Sequence, residues 1–209
     1  MKLASLKAGG RDGTLVIVSR ELARCAAVPA IAPTLQAALD RWRALERPLS
    51  DVARDLEQGR MQGEQPFDPH KAAAPLPRAY HWVDGSAYVN HVELVRRARG
   101  AEMLQSFWTD PLVYQGGSDD LLGPTDDAYF VSEEHGIDLE AEVAVITDDV
   151  PMGTSVADAA AHVKLVLLAN DWSLRNLIPG ELAKGFGFYQ SKPATAYMEI
   201  GRASCRERV

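Results

Sequence analysis

Cysteine is nearly absent: Cys25 and Cys205 are the only two in 209 residues. That excludes a disulfide framework or a cysteine-rich zinc site and suits a reducing cytoplasm. No stretch approaches the ~18 consecutive apolar residues of a membrane span, and the start lacks the charged-then-apolar pattern of a secretion signal. Basic residues are in the minority, 22 Lys and Arg against 29 Asp and Glu, for a formal charge of −7. This argues against nucleic acid or any partner held by phosphate neutralisation. Aromatics make up 7% of the chain, and there is no internal repeat or low-complexity tract. What remains, 46% hydrophobic and 24% charged residues, is the composition of an ordinary globular protein able to bury a sizeable core in one or two domains. A cytoplasmic protein without membrane association is expected.

The chain opens on a hairpin pattern. Apolar Leu3, Leu6, Leu15 and Ile17 flank the turn-rich run Ala8 to Gly13. From Thr34, the residues Leu35, Ala38, Leu39, Trp42 and Leu45 recur at helical spacing, and Asp51 to Gln58 reads as a second short helix closed by Gly59. Pro66, Pro69, Pro75 and Pro77 fall between Gln62 and Arg78, a composition typical of a linker, which places a domain boundary near residue 74. Ser86 to Arg99 then predicts a helix whose apolar stripe of Tyr88, Val92 and Val95 also carries His91, facing inward. Ser155 begins a short helix through His162, and Lys164 to Ala169 reads as a strand buried on both faces that ends in Asn170 and Asp171.

The ten residues from Ile200 to Val209 form an arginine-rich end that fits neither periodicity. They are also similar to the in-frame translation of a common short-read sequencing adapter, with Glu199 fitting the junction codon. The expectation is therefore that residues 199–209 are foreign and that the native gene is interrupted at about Met198, leaving out the strands that follow.

Asp138 to Ile146 alternates so that Asp138, Glu140 and Glu142 share one face of a strand. Two carboxylates brought to ~4 Å at an effective dielectric of ~20 repel by about 4 kcal/mol, which a solvated surface or a cation relieves. Alone, the pair reads as a wet strand face. Asp171, at the end of a buried strand, needs compensation. A third carboxylate there would complete an all-oxygen site suited to magnesium, manganese or calcium rather than zinc. By themselves, His91 reads as a hydrogen-bonded core residue, Asp84 as a helix N-cap, and Arg175 and Lys184 as surface cations.

At these residues the chain resembles the fumarylacetoacetate hydrolase family. The resemblance rests on WVDGSAYVNHVELVRRARGAE (82–102), YQGGSDDLLGP (114–124), DLEAEVAVI (138–146), LANDWSLRN (168–176) and KGFGFYQSKPATA (184–196), which run in family order. It implies an α+β fold: a small β-barrel-like domain over residues 1–73, then an incomplete mixed β-roll over 74–198. It also implies a divalent cation, Mg2+ or else Ca2+ or Mn2+, held by Asp84, Glu140, Glu142 and Asp171. In the resemblance His91 matches a water-activating histidine. Arg175 and Lys184 match catalytic cations that also bind substrate oxygens, while Tyr114 and Arg99 match further substrate contacts. The implied reaction is hydrolysis of a carbon–carbon bond in a 1,3-dioxo or 2-oxo acid, within aromatic catabolism. A homodimeric parent is also implied.

Two departures bear on the reaction. The family's decarboxylases and isomerases carry a glutamate three residues after the histidine; here that residue is Leu94, and the acid is Glu93. The glutamine of the hydrolases, three residues after the motif arginine, is Ile178 here. A hydratase or isomerase of 2-oxo-alkenoic acids and an inactive metal-binding module are the alternatives. Without its closing strands the roll is expected to leave apolar faces uncovered and the chain inactive.

Overall fold

The computed structural model describes residues 1–86, 88–98 and 100–202, with backbone alone for 199–202. The N-terminal alternation becomes β1 (Lys2–Leu6) and β2 (Thr14–Val18), antiparallel with Leu3 opposite Ile17. Gly13 closes the turn at φ +71°, where an added Cβ would sit 2.8 Å from the Leu6 carbonyl oxygen; glycine alone fits there. β3 (Arg24–Ala27) pairs with β2. Thr34 caps α1 (Leu35–Leu39) by accepting the Ala37 N–H at 3.1 Å. α2 (Trp42–Glu57) then buries Trp42, Leu45, Leu49 and Leu56 in the same core as Leu3, Leu15 and Ile17.

The helix breaks where the sequence pattern did not place a break. It stops at Asp40 and Arg41, then runs unbroken through Pro48. Proline removes one donor from the ladder, but Leu45 and Leu49 on either side of it are buried, and that continuous stripe outweighs the lost bond.

β4 (Gln65–Pro66) completes a sheet of order β1-β2-β3-β4, which stays open rather than closing into a barrel among the described residues. The proline-rich stretch is no free linker. Ala73 N–H donates to the Ser5 carbonyl, the Ser5 hydroxyl donates to the Pro75 carbonyl at 2.6 Å, and Ala72 and Ala74 are buried.

The remaining elements frame the site. β5 (Val83–Gly85) pairs with β6 (Val113–Gln115), and α3 (Val89–Ala98) lies between them in sequence. Then come β7 (Ile137–Asp138), β8 (Ala141–Thr147), α4 (Val156–Ala159), β9 (Val163–Asn170), β10 (Ser173–Leu174), α5 (Ile178–Leu182) and β11 (Ala196–Arg202). β9 is the centre of an antiparallel sheet of order β11-β9-β8, and β10 pairs with β7. Leu165 of β9 belongs to the N-terminal core, while Leu167 packs with Tyr197 and Ala74. The sheet is thereby fixed against the first half of the chain. Within that first half, Asp12 and Arg78 form a two-pronged ion pair, 2.7 and 2.5 Å.

Three sequence expectations need correction here. β9 is covered on one face only: on the other, Val143, Leu168 and Met198 are direct cross-strand neighbours and stand 71%, 41% and 46% exposed. On α3 only Val92 is buried; Tyr88 precedes the helix, and both it and His91 are exposed. Successive helix residues lie ~100° apart, so burying Val92 turns its neighbour His91 toward solvent. The aperiodic end is also more regular than its side chains suggest, since the backbone to Arg202 continues β11 along β9 across a bulge between Met198 and Gly201. A free strand edge pairs with backbone whatever the side chains. Residues 203–209 lie outside the described residues.

Candidate metal and anion site

Strand alternation brings the first two acids together. Glu142 lies on β8 and Glu140 just before it, both on the covered side with Ala144 and Ile146, while Val143 and Val145 face outward. Asp138, expected on the same face, belongs to β7 instead, and its carboxylate accepts from Arg175 Nε at 2.8 Å. The chain leaves its strand between them, at Leu139 and Glu140, so the alternation does not carry through. Asp84 is not a helix cap but a strand residue of β5, opposite Tyr114. One carboxylate oxygen each from Asp84, Glu140 and Glu142 lies within 4.8 Å of the others, a set of hard oxygen donors fitted to a divalent cation.

Asp171 stands beside this trio, joined to it by a lysine. It is 1% exposed. Its carboxylate accepts from Thr195 Oγ1 at 3.1 Å, from Lys192 Nζ at 2.8 Å and from the Tyr114 hydroxyl. Lys192 Nζ also donates to Glu140 Oε2 at 2.8 Å and lies 5.3 and 5.8 Å from the ring centroids of Tyr114 and Phe188. Glu140 Oε1 takes Arg175 Nη2 at 2.5 Å and the Ser173 hydroxyl at 3.0 Å. Trp82 closes the aromatic wall, packing edge-on against Tyr114 and Tyr197.

The electrostatics divide the acids. Burial, then the nearby Asp171, raise Asp84 above the usual carboxylate range; burial, then Asp84, raise Glu142 likewise. Burial would also raise Glu140, but its hydrogen bond from Lys192 and the charges of Lys192 and Arg175 overcome that and hold it below. Burial, then its bond to Asp171, push Tyr114 far up, so the phenol stays protonated. Among the described residues Asp84 and Glu142 are thus the acids without an ion pair of their own, and a divalent ion would answer that need.

The sequence-derived candidates fall in different places. Tyr114, Arg175, Asp84, Glu140, Glu142 and Asp171 converge. His91 sits on the rim, exposed and near Asp84. Lys184 does not join the cluster; it is exposed and lines a separate cleft of about 330 Å³ with Phe186, Tyr189 and Gln190. The cation at the acids is Lys192, eight residues on in the same segment. The signal that distinguishes the two lysines is context: Lys192 falls between Ser191 and Thr195, both buried, whereas Lys184 opens a glycine-rich turn. Arg99 lies outside the described residues.

The fold and site define a two-part α+β protein with a carboxylate cluster that could hold a hard cation, edged by Lys192 and Arg175. Residues 1–78 match the family profile described as fumarylacetoacetase N-terminal domain 2, and residues 80–205 match fumarylacetoacetate (FAA) hydrolase C-terminal. The chain belongs to the fumarylacetoacetate hydrolase family, whose members are hydrolases and related enzymes. No curated protein matches closely enough to count as a relative. Among solved structures, the fold is similar to a fumarylacetoacetate hydrolase from psychrophilic Exiguobacterium antarcticum, with TM-score 0.63 and 17% identity, covering 92% of this chain and 61% of that one. It is also similar to a Mycobacterium smegmatis protein with a provisional HpcE assignment, with TM-score 0.64 and 16% identity, covering 99% and 67%. The chain therefore spans about three fifths of the first of these proteins. Among the described residues no helix is long and apolar enough to cross a membrane.

Proposed function

We propose that this chain carries the metal-binding part of a hydrolase that cleaves the carbon–carbon bond of a 1,3-dioxo or 2-oxo acid resembling fumarylacetoacetate. The observation that carries the reading is the convergence of Asp84, Glu140 and Glu142 within 4.8 Å, with Lys192 and Arg175 on the same acids. Those carboxylates, with Asp171 behind Lys192, would hold Mg2+, Mn2+ or Ca2+. Such an ion supplies Lewis acidity toward a keto or enolate oxygen.

The chain's own groups do the rest. Lys192 and Arg175 turn toward the carboxylate of an incoming oxo acid and take up its charge. Tyr114, kept protonated, donates its hydroxyl hydrogen to Asp171 and steadies that carboxylate beside the substrate. His91 on the rim takes a proton from water as the water oxygen adds to the carbonyl carbon. The bond to the neighbouring carbon then breaks, its electron pair leaves as an enolate, and proton return to that carbon completes the two acid products. Decarboxylation is disfavoured, because Leu94 occupies the position of the required acid and Glu93 is held by Arg97 at 3.0 Å.

Calorimetric titration of this chain with Mn2+, and assay of the intact parent protein against a panel of 1,3-dioxo and 2-oxo acids, test the reading. We expect Mn2+ binding that Glu142→Gln weakens at least about tenfold, and release of two acids from a dioxo acid. Water addition without chain cleavage would favour the hydratase alternative, and Mn2+ binding without turnover of any acid would favour a binding module. No Mn2+ binding at all would defeat the site.

A further inference from the structure

We propose that Glu181 is a positioning residue that sets Lys192, and through it the affinity of the site for an oxo acid. The inference rests on the functional reading above, but its evidence lies in a different part of the chain. Glu181 sits on the short helix α5, outside the acidic cluster. Its carboxylate accepts four hydrogen bonds from one tripeptide: Tyr189 N–H at 2.8 Å, Gln190 N–H at 2.6 Å, Ser191 N–H at 3.2 Å and the Ser191 hydroxyl at 2.5 Å. Few carboxylates on a surface helix are so fully committed to a loop backbone, and the loop explains why this one is. Between Ala183 and Ser191 it carries Gly185 and Gly187 at positive φ and exposes Phe186 and Tyr189. It has little apolar burial to hold it.

Ser191 is where the tether takes effect. It is fully buried, and its carbonyl accepts the Leu174 N–H at 2.8 Å. The residue after Leu174 is Arg175, and the residue after Ser191 is Lys192. These two cations grip opposite oxygens of Glu140, Arg175 at Oε1 and Lys192 at Oε2. One clasp, Glu181 to Ser191 to Leu174, thus fixes the backbone origin of both cations relative to each other. A lysine side chain has four flexible torsions, and anchoring its backbone is what makes two simultaneous 2.8 Å bonds to Glu140 and Asp171 reproducible.

The test uses the full chain and two probes, Mn2+ alone and then oxalate binding to the Mn2+-loaded protein, in the wild type and in Glu181→Ala, Lys192→Met and the double variant. Circular dichroism and a cooperative melt establish that each variant is folded. Glu181→Ala should weaken oxalate binding about tenfold or more while Mn2+ affinity does not fall, because removing Lys192 from the acids takes away a competing cation. In the Lys192→Met background, Glu181→Ala should cost much less than it does alone, leaving only its effect through Arg175, the non-additivity of residues acting together. The conservative variant Glu181→Gln, which keeps an acceptor oxygen, should fall between. Unchanged oxalate binding in Glu181→Ala, a matching loss of Mn2+ affinity, or a full additional loss in the double variant would each overturn the proposal. Absence of Mn2+ binding in the wild type would instead overturn the functional reading beneath it.

Discussion

Lys192 shows how a single side chain can stand in for part of a missing counter-charge. Its side chain is 8% exposed and its ammonium is shared between two carboxylates, so its removal leaves buried negative charge unpaired. Lys192→Met should lower the melting temperature in the absence of metal, on the order of 3 kcal/mol for a broken buried pair, and thermal denaturation with and without Mn2+ would show the ion recovering much of it. Glu181 gives a pH signature of its own. Four donors, led by the Ser191 hydroxyl, overcome the opposing effect of burial and lower it from 4.5 to about 2. A carboxylate depressed in the folded state contributes stability that is complete above its unfolded value and lost as pH falls toward about 2. Urea unfolding at pH 7 and pH 3 should therefore show a smaller acid loss in Glu181→Gln than in the wild type. Equal losses would remove Glu181 from the acid sensitivity.

At this scale the sequence was readable where the cause is local. Glu140 and Glu142 share a side because strands alternate. The choice between Lys184 and Lys192 was not readable, since it depends on which lysine the Ser191 clasp directs inward, and that clasp joins α5, β10 and a loop.

Among the elements, the strand pair β5 and β6 depends on one glycine. A Cβ on Gly116 would lie 1.8 Å from the Trp82 ring, whose indole N–H donates to the Gly117 carbonyl at 2.7 Å. Gly116→Ala should push that ring off Tyr114 and Tyr197 and destabilise the protein by about 1–3 kcal/mol, with altered tryptophan fluorescence as the local readout. The opening hairpin, the Thr34 cap and the strands β8 and β9 follow from patterns within ten residues or so of chain. The path of α2 through Pro48 does not, because burial of Leu45 and Leu49 decides it. His91 was misplaced for the same kind of reason: a helical stripe gives a face, but only the neighbours determine which of its residues are covered.

Across the whole molecule, the two family segments are joined by Leu165 in the N-terminal core and by the Lys7–Asp126 ion pair. This ion pair is partly exposed, and Lys7→Ala should cost no more than about 1 kcal/mol; the shared core does most of the joining. The outer face of β8, β9 and β11 presents Val143, Leu168 and Met198 side by side to water, an arrangement that binds hydrophobic dyes and favours association. Replacing Val143 and Leu168 together with threonine, which keeps strand propensity, should reduce dye fluorescence and raise solubility without disturbing Mn2+ binding. Unchanged dye binding would place the sticky surface elsewhere. That both faces of β9 are apolar was legible in its run of residues; that one stays open depends on what packs there.

The acids and cations of the site also fix a stoichiometry. Arg175 is shared between Asp138 and Glu140, and Lys192 between Glu140 and Asp171, which leaves two clustered carboxylates, Asp84 and Glu142, without an ion pair among the described residues. One divalent ion would balance those two charges and a second would exceed them, so the proposed metal site is expected to take one ion.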